Sequence, residues 1–161
     1  MFRALAVRNY RLYASGQVVS NTGTWMGRVT QDWLVYHILT HDNSFALGFV
    51  TALQFMPTLV FGMYGGMLGD RYPKRVVLTV TQSAMALISV LSGLLIRTHD
   101  MRLWTICVIA FVFGLASALD TPVRQAFVVE MVGRDALQNA VSLNSATFNA
   151  SRMIGPAVAG L

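Results

Sequence analysis

The stretch Gly65-Gly66-Met67-Leu68-Gly69-Asp70-Arg71-Tyr72-Pro73-Lys74-Arg75 decides how this chain is organised. In it a glycine-rich apolar segment runs into a short connection that holds one acid and three bases. A mostly apolar run of about 20 residues, the length that crosses a bilayer as a helix, lies on each side. The stretch therefore predicts a charged turn between two membrane-spanning helices.

The composition agrees with this interpretation. The chain has 161 residues, of which 55% are hydrophobic and 12% are charged, whereas a soluble domain carries about 25% charged residues. The deficit favours lipid over water as the main solvent, and it argues against a soluble helical bundle. The net charge of +5 would fit a nucleic-acid partner. The bases fall between the apolar runs rather than on one face, however, so we expect no nucleic acid.

We predict an all-α integral membrane protein with four complete spans and a truncated fifth. The five spans are expected at about 12–39, 45–69, 76–97, 103–129 and 138–161. Asn43-Ser44 and His99-Asp100 supply turn residues at the two outer connections. A helix that stops within the bilayer leaves carbonyl groups unpaired. We therefore expect a longer protein with missing C-terminal helices, and instability when this part is expressed alone.

The basic residues predict the orientation, because short cytoplasmic loops collect Lys and Arg. One side of the predicted membrane collects Arg3, Arg8, Arg11, Arg71, Lys74, Arg75, Arg124 and Arg134, and the other side holds Arg97 and Arg102. The N-terminus and the connections near 70–75 and 130–137 are therefore expected to be cytoplasmic.

Two of the predicted spans carry polar side chains at helical spacing. The first polar stripe consists of Gln17, Asn21, Thr24, Arg28 and Gln31, with Asp32 at its edge; the second consists of Gln138, Ser142, Ser145, Asn149 and Arg152. At about 100° per residue each set falls on one helix face. Each stripe fits either a water-filled cavity or a hydrogen-bonded helix interface, with Arg28 and Asp32 as an i, i+4 pair in the second case. We expect Arg152 to approach Asp32 across the bundle.

Other features of the spans predict helix packing and one more charged pair. Asp120 has two candidate partners, Arg124 on its own helix or the bases of the 70–75 connection. Pro122 is expected to bend or loosen the fourth span. Two overlapping glycine pairs, Gly62 with Gly66 and Gly65 with Gly69, predict close helix packing. The span at 76–97 has no interior charge and is expected to face lipid.

The charged connection resembles the loop signature of the major facilitator superfamily. The matching residues are Gly66, Asp70, Arg71, Lys74 and Arg75, while Pro73 stands where the family typically has glycine. A second match lies in the fifth span, where Ser151, Gly155, Pro156, Ala159 and Gly160 look like the antiporter motif of drug and metabolite exporters. Ser151 and Ala159 replace glycines of that motif.

Three further runs are similar to the exporter branch that contains the bacterial enterobactin exporter and related multidrug and macrolide efflux proteins. They are Asp32-Trp33-Leu34-Val35-Tyr36 with Trp25, Thr121-Pro122-Val123-Arg124-Gln125-Ala126-Phe127, and Asn139-Ala140-Val141-Ser142-Leu143-Asn144-Ser145. The resemblance covers essentially the whole chain and implies a multi-pass protein of the bacterial inner membrane.

The resemblance implies a secondary transporter that exports small molecules by alternating access around a midplane site. The energy source it implies is the proton gradient, with no other cofactor. Asp32 is the acid expected to couple protons, modulated by Arg28 or Arg152. Asp70, with Lys74 or Arg75, and Asp120 are expected to latch the inner gate.

The alternatives are an importer of the same superfamily, a non-transporting remnant of a transporter gene, and a membrane enzyme. The antiporter-like motif argues against the importer. Against the enzyme, the sequence has no nucleotide-binding loop and no metal-ligand motif, and His37, His41 and His99 do not converge in sequence. We expect no catalytic residues and no metal.

Overall fold

A computed structural model describes residues 3–98 and 101–160. The predicted turn at His99-Asp100, the residue Leu161 and the side chains of Arg3 and Arg134 lie outside this description. The described residues are helical throughout except for short connections and contain no strand. This confirms the all-α prediction.

The helices follow one another with short connections. They are α1 (Arg3–Ala6), α2 (Arg8–Trp33), a π-helical segment (Leu34–Leu39), α3 (Ser44–Arg71), α4 (Lys74–Arg97) and a final helical run, Leu103–Ala159. The final run is interrupted at Gly133, and we call its two parts α5 (103–132) and α6 (134–159). Gly133 has φ 68° and ψ 177°, angles that glycine adopts at little cost. The turn predicted near 130–137 thus forms at this residue.

The ends of α3 show how local sequence sets a helix boundary. The side chain of Asn43 accepts hydrogen bonds from the backbone N–H groups of Phe45 at 3.0 Å and Ala46 at 3.2 Å, which caps the helix start. At the other end the Tyr72 N–H donates to the Leu68 carbonyl at 3.0 Å. Pro73 follows with φ −56°, an ordinary value for proline, so the connection needs no glycine there.

Three of the described helices are long and apolar enough to cross a membrane: Ser44–Arg71, Lys74–Arg97 and Leu103–Gly133. They match the second, third and fourth predicted spans. The first and fifth predicted spans, on α2 and α6, are the two that carry the polar stripes, which lower their overall apolar content. Their crossing of the membrane stays a prediction.

The chain divides into two compact units. The first unit consists of Met1–Thr30 and Phe127–Leu161. Its apolar core consists of Ala4, Tyr10, Val128 and Ala140. The Tyr10 hydroxyl donates a 3.1 Å hydrogen bond to the Ala140 carbonyl, and burial raises the pKa of this phenol. The start of α2 is thereby joined to the first half of α6.

The second unit is Gln31–Ala126. Its core gathers Leu34 and Val35 of the π-helical segment, Val50 of α3, and Ile106 and Ala110 of α5. Helical dihedral angles continue through Pro122, so the expected loosening at this proline leaves no break in the helix; the break in the final run is at Gly133.

Candidate functional site

Asp120 lies at the centre of a buried polar network within the second unit. Asp120 is only 2% exposed. Thr81 donates a 2.6 Å hydrogen bond to Asp120 Oδ1, and Gln82 Nε2 donates to the same oxygen at 3.0 Å. Arg124 Nε donates to Oδ2 at 2.8 Å, and its Nη2 contacts the same oxygen. Of the two partners considered for Asp120, the intrahelical Arg124 is present in the structure.

The hydrogen bonds and the ion pair of this network offset the cost of burying the Asp120 carboxylate. A buried carboxylate is costly unless it is paired and hydrogen-bonded. Arg124 supplies the opposite charge, and the two α4 side chains Thr81 and Gln82 bond to the other oxygen of Asp120. The carboxylate therefore ties α4 to α5.

One face of α4 packs against other helices, and the exposed remainder keeps the expectation that α4 faces lipid a prediction. Leu78 and Thr81 are buried, while Val80, Leu87 and Val90 are exposed. The sequence signal that was missed is the pair of adjacent polar residues, Thr81-Gln82, inside an otherwise apolar run. Such a pair in a span marks the face that meets another helix.

The glycines of α3 divide into two groups that the sequence did not distinguish. A Cβ on Gly65 would lie 2.6 Å from Pro122 Cγ and 2.9 Å from the Ala118 carbonyl oxygen, and one on Gly69 would lie 3.2 Å from Val123 Cγ2. A Cβ on Gly62 or Gly66 would meet none of the described residues within 4 Å. The pair Gly65 and Gly69 is therefore the one that lets α5 approach α3.

The charged connection after α3 is mostly exposed. Asp70, Arg71 and Arg75 are exposed and Lys74 is half-buried. These charges lie at the surface, where α3 ends and α4 begins. Thr81 and Gln82, which bond to Asp120, follow later in α4. The role of these charges in a gate stays a prediction.

The first polar stripe lies on the packed side of α2. Gln17 is buried, and Asn21, Thr24, Arg28, Gln31 and Asp32 are all half-buried. By contrast, the apolar Val19 is 74% exposed. Polar inside and apolar outside is the pattern of a helix surrounded by lipid. Gln31 Nε2 is buried and makes no hydrogen bond within the described residues.

The second polar stripe lies on the open side of α6. All five of its members, Gln138, Ser142, Ser145, Asn149 and Arg152, are exposed. The face of α6 that packs in the first unit contains Ser151 and Gly155 instead, both buried. The hydroxyl oxygens of Ser151 and Thr22 lie 3.3 Å apart, within hydrogen-bonding distance.

The antiporter-like motif provides a close approach between α2 and α6. A Cβ on Gly155 would lie 2.7 Å from Trp25 Cβ and 3.1 Å from the Met26 nitrogen. Gly160, in the same motif, has only ordinary distances of 3.7 Å or more around an added Cβ. Pro156 is half-buried. Among the described residues, Gly155 thus has a packing role in the motif that Gly160 does not share.

Trp25 lies between the two polar stripes' arginines, although neither predicted stripe included it. The guanidinium carbon of Arg28 lies 5.1 Å from the Trp25 ring centroid, and that of Arg152 lies 5.4 Å away. Phe148 meets the same ring edge-on, with centroids 5.7 Å apart. The available signal was the Trp25–Arg28 spacing of three, which puts both side chains on one helix face.

Among the side chains that the structure describes, those of His, Cys, Asp and Glu form no group of three that could hold a metal ion. His37 Nδ1 lies 2.9 Å from Asp42 Oδ1 in an exposed pair, and His41 and Asp42 both have positive φ values.

Apolar helices of spanning length, joined by close glycine contacts and a buried polar network, define a polytopic α-helical membrane protein. Comparison with known proteins gives the family. The family described as "Transmembrane secretion effector" matches residues 2–161. The chain belongs to this family, which is part of the major facilitator superfamily of transporters.

Several curated relatives are transporters by name. The chain is 32% identical over 142 residues to the staphyloferrin A transporter of Staphylococcus aureus, which covers 86% of this chain and 35% of the relative. It is 25% identical over 146 residues to an uncharacterized major-facilitator-type transporter of Bacillus subtilis, covering 91% and 34%. It is 22% identical over 153 residues to macrolide efflux protein A of Streptococcus pyogenes, covering 94% and 37%.

The chain thus spans about a third of the length of the curated relatives it matches. No solved structure matches the chain.

Proposed function

We propose that this chain is the N-terminal part of a secondary transporter that exports small molecules from the cell by alternating access. The observation that carries the proposal is the match of the whole described chain to a transporter family whose relatives here include a siderophore transporter and a macrolide efflux protein. The helices end in charged connections, and polar side chains are concentrated on α2 and α6, where a solute pathway would need them.

Proton antiport is the proposed energy source, with Asp32 as the coupling acid. Asp32 is half-buried beside the first polar stripe, and carboxylates at membrane depth are the usual groups of proton relays. Arg28, one turn earlier, or Arg152 would tune its protonation. An approach of Arg152 to Asp32 in at least one transport state is part of this proposal.

The proposed inner gate consists of Asp70, Arg71, Lys74 and Arg75 with Asp120. It is supported by the short distance along the chain from this connection to Thr81 and Gln82, which bind Asp120. We propose the bacterial inner membrane as the location, with the N-terminus and this connection in the cytoplasm, on the distribution of Lys and Arg.

Inside-out membrane vesicles test the proposal. The vesicles are prepared from cells that express the complete reading frame containing this chain, and respiration makes their lumen acidic. We expect gradient-dependent accumulation of labelled staphyloferrin A or of a labelled macrolide, the solutes named for two relatives. Uptake that occurs only in right-side-out vesicles would identify an importer instead.

Asp32→Asn tests the coupling acid in the same vesicles. The variant should lose gradient-driven accumulation while its yield and its elution in detergent stay those of the parent. Asp42→Asn is the matched control, because Asp42 is an exposed acid in the connection before α3. Accumulation by the Asp32 variant at the parent rate would remove Asp32 from the coupling role.

A further inference from the structure

We infer that the start of α2 binds an anionic phospholipid, with Arg8 and Arg11 at its phosphate and Leu12 and Val19 along its acyl chain. The inference goes beyond the proposed function, since it concerns the bilayer and not the exported solute. It requires that α2 crosses the membrane, as predicted, and it does not depend on the direction of transport. The observation that carries it is one exposed face of α2, which begins with charge and continues with apolar side chains.

Four side chains of α2 share this exposed face. Arg8 and Ser15 are exposed, as are Leu12 at 62% and Val19 at 74%. Their successive spacings of four, three and four residues place them within an arc of about 60°, because each residue turns an α-helix by about 100°. Arg11, which is also exposed, lies at the edge of this arc. We call these five residues the lipid face of α2.

The order of these residues along the helix matches the order of the groups in a phospholipid. With a rise of about 1.5 Å per residue, Leu12 follows Arg8 by about 6 Å and Val19 follows it by about 16 Å. Half of the hydrocarbon core of a bilayer is about 15 Å thick. When Arg8 lies at the level of the headgroups, the two apolar side chains therefore lie within one leaflet, beside the acyl chain of the same lipid.

Ser15, the polar side chain between Leu12 and Val19 on this face, is suited to contact with lipid. Its hydroxyl donates a 2.8 Å hydrogen bond to the Leu12 carbonyl of the same helix. A hydroxyl group that is satisfied within its own helix needs no water in the bilayer. The first polar stripe lies on the opposite side of α2, where Gln17 is buried. The helix thus separates a polar, packed side from a side that tolerates lipid.

The start of α2 is positively charged, and its arginines are held in place. The first 31 residues contain no acid, and arginine presents a planar fork of donors that matches a phosphate group. On the packed side of α2, Tyr10 is 2% exposed and its hydroxyl donates to the Ala140 carbonyl at 3.1 Å. The packing of Tyr10 against α6 therefore fixes the side of α2 from which Arg8 and Arg11 project. Two cations above an apolar surface favour an anionic lipid over a zwitterionic lipid or an inorganic anion.

A binding measurement separates these ligands. The complete transporter is purified in neutral detergent, freed of native lipid and titrated with phosphatidylglycerol that carries a fluorophore on one acyl chain. We expect saturable binding, measured by fluorescence anisotropy. Phosphatidylcholine with the same labelled chain should bind at least about fivefold more weakly, because its headgroup has no net charge. Inorganic phosphate at millimolar concentration should not displace the labelled phosphatidylglycerol, since it has no acyl chain.

Variants then assign the binding to the lipid face. The attraction of one basic residue to an anionic lipid surface corresponds to about fivefold in affinity, so Arg8→Gln and Arg11→Gln should each raise the phosphatidylglycerol Kd by this factor. Arg8→Lys, which keeps the charge, should raise it less. Leu12→Asn should weaken the binding of both lipids alike, because they have the same acyl chain. Arg102→Gln, which removes an exposed arginine outside α2, is the matched control and should leave the Kd unchanged. All these positions are exposed, so elution in detergent should stay that of the parent.

Four results would overturn the inference: equal Kd values for the two lipids, a Kd unchanged by both Arg8→Gln and Arg11→Gln, displacement by inorganic phosphate, or an effect of Arg102→Gln as large as that of Arg8→Gln. In the last case binding would follow net charge and not the lipid face. Gradient-driven export without selective lipid binding would keep the exporter and remove the lipid site. Selective binding that depends on Arg8 and Arg11, without transport of any solute, would keep the lipid site and remove the exporter.

Discussion

Thr81 on α4 and Asp120 on α5 are joined by a 2.6 Å hydrogen bond between the threonine hydroxyl and the carboxylate. Both residues are buried, at 6% and 2% exposure. Each belongs to a helix that is apolar and long enough to cross a membrane. A polar bond in such surroundings is a specific contact between two helices, because lipid offers neither group another partner.

Thr81→Val should weaken this contact. Valine has nearly the shape of threonine but cannot donate, so Asp120 loses one of its donors; we expect a loss of about 1–2 kcal/mol of stability. Thermal unfolding in detergent measures it. Thr81→Ser should keep most of the stability. Thr79→Val is the control, because Thr79 is exposed and its hydroxyl bonds within its own helix to the Arg75 carbonyl. Equal effects at positions 79 and 81 would contradict the account.

Gly65→Ala should separate α3 from α5. The new Cβ would lie 2.6 Å from Pro122 Cγ and 3.0 Å from the Leu119 Cα, so backbone must shift, at a cost of about 1–3 kcal/mol. Gly62→Ala, three residues earlier on the same helix, meets no described residue within 4 Å and should be neutral or slightly stabilising, since alanine favours helix. The melting temperatures of the two variants in detergent test this. A destabilised Gly62 variant beside an unaffected Gly65 variant would reverse the assignment of the packing face.

Gly155→Ala tests the role of the antiporter-like motif in packing. The added methyl would press on Trp25 Cβ and on the backbone of Met26 and Thr22, and we expect destabilisation of the same size as at Gly65. Gly160→Ala has ordinary contact distances and should be tolerated. Limited proteolysis in detergent distinguishes the variants. Equal protease resistance of both would show that the α2–α6 contact does not depend on this glycine.

Asp70→Asn tests the proposed inner gate. If the acid favours one state, its loss shifts the population of states. Ser142→Cys, an exposed position on α6, reports this shift by its rate of maleimide labelling in inside-out vesicles, in a Cys107→Ser background. We expect a several-fold change in rate on adding Asp70→Asn and none on adding Asp42→Asn. Identical rates in all three proteins would refute the latch.

The sequence predicted the helical fold well because the features that govern it are local. The lengths of the apolar runs predicted α3, α4 and α5. Asn43 indicated the turn before α3, and the charged connection indicated the turn at Tyr72-Pro73. Arg124, four residues after Asp120, was one of the two candidate partners that the sequence left open, and it is the one present in the structure. These inferences need only residues that lie close together in the chain.

Contacts between helices were harder to predict. Helical periodicity shows which side chains share one face of a helix, but it does not show which other helix packs against that face. Gly65 and Gly62 look alike in sequence, yet only Gly65 packs against α5 among the described residues. Thr81 and Gln82 bond to Asp120 of another helix, a neighbour that the sequence of their own helix does not indicate. Trp25 became part of the site because α6 brings Arg152 to its ring, over a separation of more than 120 residues along the chain.

The proposed direction of transport, the side of the gate and the path of the proton all depend on the orientation of the chain in the membrane. A measurement of this orientation therefore tests the account most directly. In intact cells that express the complete reading frame with Cys107→Ser, a membrane-impermeant maleimide is applied to His41→Cys and, separately, to Tyr72→Cys. Both native residues are exposed, in the connections before and after α3. We predict that position 41 is labelled from outside and that position 72 is labelled only after the cells are permeabilised. Labelling of position 72 and not of position 41 in intact cells would contradict the account.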